Sequence, residues 1–155
     1  MKVIYYGSAA TYAAYGMAAI HLGVYKGEEI PSYDEMIGHW NLCMVDSYQR
    51  GNLVYLGLDE ELREVYIIGC GSHGRMLKKA YKGFGDLYKI DDVVFYVDAS
   101  PWERGARFLV GLTKKIPMIE PIARRLYIHW YRRIYPIWTY RVRKEWKKLS
   151  GRGTP

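Results

Sequence analysis

The chain has 155 residues, half of them hydrophobic and a quarter charged, which suits one globular domain with a real core. Its formal net charge is +7, and no uncharged apolar run approaches the length needed to span a bilayer. Two cysteines, Cys43 and Cys70, are too few for a disulfide framework, so both are expected as reduced core thiols in a cytoplasmic protein.

In chain order, Val3-Ile4-Tyr5-Tyr6 reads as a short buried strand, and Met1-Lys2 ahead of it does not open a secretory leader. Gly7-Ser8-Ala9-Ala10 is a small-residue turn. An Ala-rich helix is predicted from Thr11 to Leu22, with Gly23 as its stop. Ser32-x-x-Glu35 is a capping box for a helix over Tyr33 to Trp40. Asn52–Leu58 and Val65–Gly69 are β-prone runs around the polar stretch 59–64, the pattern of a hairpin. Ser72 is expected to cap a helix to about Tyr88. Val93–Val97 is a continuous apolar run, as in a strand buried on both faces, and it ends at Asp98. Pro101 opens a helix over roughly Trp102–Lys114. Asp59-Glu60-Glu61 and Asp91-Asp92 read as solvated turn charges.

The last segment carries the excess charge. From Ile119 to Pro155 ten Lys/Arg stand against two acids, Glu120 and Glu145, and seven Trp/Tyr are interleaved with them. Ile122, Leu126, Trp130, Ile134, Trp138, Val142 and Trp146 recur every four residues, which favours one long helix. Pro136 argues against it by removing a donor and crowding the preceding turn. The preferred reading is therefore a strand at Leu126–Trp130, a loop, then a helix with Pro136 in its first turn. The expected whole is a single α/β domain over 1–149, with a disordered tail at 150–155. It has a mostly parallel sheet of about five strands, one hairpin and helices on both faces, P-loop-like or Rossmann-like.

Two loops have the geometry that places an anion on a helix N-terminus. The first follows the opening strand and offers Gly7, Ser8 and Thr11 but no lysine; its plain alternative is a closely packed strand-to-helix turn. The second, Gly69-Cys70-Gly71-Ser72-His73-Gly74, is a literal GxGxxG, with Arg75 beside it and Asp98 placed to meet a ribose hydroxyl. Its plain alternative is a tight glycine turn. His21 reads as a packed or capping histidine, and no metal-ligand spacing joins His21, His39, His73, His129 and the cysteines. No catalytic triad assembles from local spacing. The basic face, Arg132, Arg133, Arg141, Lys144, Lys147 and Lys148, suits an acidic protein, a nucleic acid or an anionic membrane, or is simply solvated.

Several runs together resemble a small bacterial family of unknown function, found mainly in spore-forming Gram-positive anaerobes. They are the opening Met1–Tyr6, Ala18-Ala19-Ile20-His21-Leu22-Gly23, Ile30-Pro31, Gly51–Glu60 and Glu64–Gly69. The resemblance implies an α/β fold, a cytosolic setting and a first loop similar to a phosphate-binding loop. In this chain that loop has lost its polar residues at Gly7, Ala9, Ala10, Tyr12, Ala13 and Ala14. The expected function is a degenerate nucleotide- or phosphate-binding domain acting as an interaction module. The alternatives are a small enzyme using Gly69–Gly74 on a phosphorylated ligand, a nucleic-acid or anionic-membrane binder, and a homo-oligomer joined through its aromatic surface.

Overall fold

The computed structural model describes residues 1–26, 29–44, 51–88 and 94–150. The acidic pair at 91–92, the first residue of the run Val93–Val97 and the tail 151–155 lie outside the described residues. Strand β1 (Lys2–Gly7) is followed by an irregular turn, Ala10–Ala14, broken at Tyr12, and then by helix α1 (Tyr15–His21). Next come α2 (Tyr33–Met44), β2 (Leu53–Leu58), β3 (Glu64–Gly69), α3 (Gly74–Tyr88) and β4 (Val94–Asp98). A 3-10 turn (Ser100–Trp102) leads to α4 (Arg104–Lys115), and a second one (Pro117–Ile119) leads to α5 (Glu120–Ser150).

The described strands form one mixed sheet of four, in the order β2-β3-β1-β4. β1 pairs in parallel with β3 and with β4, and β2 pairs antiparallel with β3 across the hairpin. β1 is central, so both of its faces are covered and it lacks the polar alternation of a surface strand. Val3 and Tyr5 join Val65, Ile67 and Val97 under α1, α2, α4 and α5. Ile4, Tyr6 and Ile68 face the other way, onto Leu77 and Tyr81 of α3. Of the described helices, one layer therefore holds four and the other holds one.

Local signals explain most boundaries. Gly23 takes φ +70° and closes α1 with paired bonds, Gly23 N–H to Ile20 C=O and Val24 N–H to Ala19 C=O, a Schellman ending. At α2, the Ser32 amide and hydroxyl donate to Glu35, and the Glu35 amide donates back to Ser32 Oγ at 3.2 Å.

The basic segment corrects the sequence reading. Residues 126–130 are helical, within the 31-residue helix α5, and the expected fifth strand is not formed among the described residues. Pro136 is solvent-exposed, so the backbone carbonyl it leaves without a donor is within reach of water. The buried stripe is also shifted by one residue in the first half of the helix. Ala123, Tyr127, Tyr131 and Tyr135 face inward, whereas Ile122 and Leu126 are 65% and 53% exposed. Trp138, Val142 and Leu149 continue the stripe. Gly16 of α1 is matched to it, since a side chain there would run into the Trp138 ring.

Candidate anion site at the carboxyl ends of the parallel strands

The chain leaves β1 into the four-helix layer and leaves β3 into the α3 layer. Adjacent parallel strands whose connections diverge in this way open a crevice at their carboxyl ends, the usual ligand position in α/β sheets. Here the two loops remain tied across it: Cys70 N–H donates to Gly7 C=O at 2.8 Å, and Gly71 N–H to Ser8 C=O at 3.1 Å.

Each glycine of the GxGxxG has a separate cause. A Cβ on Gly69 would sit 2.8 Å from the Ala10 nitrogen, so this glycine lets the first loop lie against the third strand. Gly71 takes φ +59° with nothing within 4 Å of a Cβ, so the conformation needs glycine and the space in front of it is open. On Gly74 a Cβ would meet the Tyr6 ring at 2.7 Å, and its absence seats α3 on the sheet.

At Gly71 lies a cleft of about 470 Å³, lined by Cys70, Ser72, His73, Met76 and Leu77 and by Arg107 of α4. Ser72 does not cap α3. Its hydroxyl lies 3.4 Å from His73 Nδ1, and the His73 carbonyl takes the first helical bond from Leu77. Ser72 and His73 are both exposed. Arg75 is exposed on the first turn of α3, outside the cleft lining. Asp98 meets the glycine loop through Tyr6, whose hydroxyl bonds its carboxylate and whose ring lies against Gly74, and its charge helps raise the Cys70 pKa. Asp98 ends β4, which lies two strands from β3, roughly 10 Å away at ordinary sheet spacing. Its carboxylate accepts from the Ser100 amide at 2.9 Å and hydroxyl at 2.7 Å, capping the 3-10 turn.

The first loop is filled from within. The Ser8 amide and the Ser8 hydroxyl (2.6 Å) both donate to Glu103 Oε2. A Cβ on Gly7 would collide with the same carboxyl group. Glu103 is 1% exposed, and its other oxygen has no hydrogen-bond partner among the described residues. Burial pushes its pKa up to about 7, against the opposing effect of the Ser8 hydroxyl and the amides of Ser8, Ala14 and Ala9. Thr11 is buried away from the loop mouth; its carbonyl accepts from Cys43 Sγ and lies 2.9 Å from His39 Nε2. Cys70 donates its thiol to Gly7 C=O, and burial raises its pKa, which makes it a poor nucleophile.

One polar cluster escapes a sequence reading altogether. Asp59, expected as a solvated turn charge, is 6% exposed and accepts from Arg63 Nε at 2.6 Å and from the Glu61 and Arg63 amides. His21 Nε2 lies 2.9 Å from its carboxylate, and His21 Nδ1 lies 2.7 Å from the Tyr5 hydroxyl. Trp146 of α5 packs over this histidine, with the ring centroids 5.3 Å apart. The cluster is sealed, so it secures the hairpin turn to β1 and α5 and presents nothing to solvent. Cys43 and Cys70 are both free and buried, as expected. Among the described residues no three His, Cys, Asp or Glu side chains gather as a metal site, and no helix is long and apolar enough to cross a membrane.

On the basic face, Arg132, Arg133, Lys144, Lys147 and Lys148 are exposed, while Arg141 and Lys148 pair with the buried Glu145. No curated protein and no solved structure matches the chain. The family model described as a protein of unknown function (DUF3189) matches residues 2–147. Its match spans the sheet, the glycine loop and nearly all of α5, and the chain belongs to that family.

Proposed function

We propose that the chain binds a small phosphorylated ligand, a nucleotide or phosphorylated metabolite, in the cleft between the Gly69–Gly74 loop and Arg107, and that it acts as a binding module. The observation that carries this reading is the cleft itself: a left-handed glycine with open space before it, the first turn of a 15-residue helix beside it, and a guanidinium in its lining. The first-turn amides of a helix have no intrahelical partners, and together with the helix dipole they favour an anion. Ser72 and His73 add side-chain donors at the rim. The arrangement is Rossmann-like in its diverging connections and glycine turn, and it departs from a dinucleotide site because Asp98 is engaged elsewhere. Binding is favoured over catalysis because the nearby thiol is buried and Ser8 is held by Glu103. The free thiols fit a reducing compartment such as the cytoplasm.

Thermal unfolding with a panel of nucleotides and phosphorylated metabolites tests the reading. A true ligand at a hundredfold over its Kd raises Tm by about 5–10 °C. Arg107→Ala weakens that response without disturbing the fold, and Gly71→Val removes it by filling the open space. A panel that leaves Tm unchanged, or a shift untouched by both substitutions, refutes it.

A further inference from the structure

The longest helix builds a second concavity, remote from the glycine loop in the chain. Arg125, His129, Arg132 and Arg133 stand at i, i+4, i+7 and i+8 on the outward side of α5, and all four are exposed. Tyr33, at the start of α2, and Ile30 just before it form the facing wall. The groove between them has a volume of about 370 Å³, with Ile128 also in its lining. Among the described residues the lining holds three guanidiniums and an imidazole and no carboxylate.

The charges here differ from those elsewhere on α5. Arg124 pairs with Glu120, and Arg141 and Lys148 pair with Glu145. Arg125, Arg132 and Arg133 have no ion-pair partner among the described residues. Like charges on successive turns of one helix face destabilise it, and no carboxylate among the described lining residues offsets that cost. A guanidinium presents a planar fork that meets a phosphate with two parallel hydrogen bonds. Arg125 and Arg133 are separated by about 12 Å along the helix axis, a span their long side chains close from both ends. A ligand with two or more neighbouring phosphates engages arginines from successive turns together, whereas a single phosphate engages fewer. The Tyr33 ring, 43% exposed, offers a flat apolar face at the edge.

We infer that this groove is an anion site for a small ligand with clustered phosphates, independent of the cleft at the glycine loop. The concavity is what argues for a small ligand. A strand of nucleic acid would run along the open face as far as Lys144 and Lys147, whereas among the described residues Ile30 and Tyr33 wall the arginine end.

Calorimetric titration of the full chain with inorganic tripolyphosphate, at about 0.15 M ionic strength, tests the inference. With the cleft disabled by Arg107→Ala, tripolyphosphate should still bind at one site, and orthophosphate about tenfold or more weaker. The double variant Arg132→Ala/Arg133→Ala should lose affinity by about tenfold or more. Lys144→Ala/Lys147→Ala removes the same charge outside the groove and should change affinity by less than about twofold. Arg107→Ala should also leave it unchanged, which separates this site from the cleft. All of these side chains are exposed, so the variants fold. Equal losses in the two double variants, loss only with Arg107→Ala, or absence of saturable binding overturns the inference. So does displacement of tripolyphosphate by a single-stranded oligonucleotide whose own binding depends equally on Lys144 and Lys147.

Discussion

Replacing Glu103 by glutamine removes a buried ionisable group while keeping its shape. In the folded chain this carboxyl titrates at about 7, against 4.5 for the free group, because burial disfavours its charged form. Between those pH values the folded state keeps a proton that the unfolded state has lost. Stability contributed by Glu103 is therefore full below about 4.5, falls as pH rises, and levels off above about 7, a change of about 3 kcal/mol. His39 acts in the opposite direction. Burial lowers its pKa to about 4 while its Nε2 faces the Thr11 and Tyr12 carbonyls, so stability rises with pH until the unfolded imidazole loses its proton near 6.5. That term is also about 3 kcal/mol, so the two largely cancel over the window they share. Glu103→Gln removes one side of the balance. Its amide oxygen replaces Oε2 as the acceptor for Ser8, and its NH2 takes the place of the unpartnered oxygen at a pH-independent cost of about 1–3 kcal/mol. Urea unfolding followed by tryptophan fluorescence at pH 5, 6, 7 and 8 gives the comparison. Relative to the parent, the variant should gain about 2.5 kcal/mol from pH 5 to pH 8. Parallel stability profiles would show that the carboxyl is not held protonated and would refute the argument.

The glycine loop supplies a paired test. Gly69→Ala drives a methyl group into the Ala9–Ala10 backbone and should cost about 2–3 kcal/mol in urea unfolding, whereas Gly71→Ala meets no atoms and should cost only the left-handed backbone penalty of about 1–2 kcal/mol. Equal costs would place the close approach elsewhere. Pro136→Ala restores a helical donor on an exposed face of α5 and should stabilise the chain, by up to about 3 kcal/mol, with an unchanged circular dichroism spectrum; a destabilised variant would mean that the proline conformation is itself required.

Local chemistry was readable where a residue type has one dominant use. The Ser32–Glu35 box, the Gly23 ending, the hairpin over residues 52–69 and the glycine turn after β3 all stand where their residues placed them. The misreadings arose where tertiary context decides. A proline disrupts an isolated helix, which is why Pro136 reads as a breaker in the sequence, but packing on both sides of it carries α5 through. The four-residue repeat puts Ile122 and Leu126 in the apolar series of this segment, but the rings of Tyr127, Tyr131 and Tyr135 fill the layer beneath α5. Asp59 resembles any turn aspartate until His21 and Arg63, distant from or opposite to it in the turn, close over it. Glu103 gave no signal in the sequence, because its partner Ser8 lies 95 residues away.

The position of β1 also sets the order in which the sheet can assemble. Lys2 aligns with Glu64 on one side and with Val94 on the other, so the central strand comes first in the chain and its partners come much later. During synthesis from the N-terminus, segment 2–7 leaves the ribosome long before either neighbour exists, and its Val3-Ile4-Tyr5-Tyr6 core stays unpaired in the interval. The β2–β3 hairpin is local and closes early, which presents one ready edge for β1 to join. The layer is completed only when α5, which follows β4 in the chain, lies down over Tyr5 and His21. An apolar β segment that must wait for its partners is the part of this molecule most exposed to mispairing, and folding yield should depend on how quickly the nascent chain reaches β4.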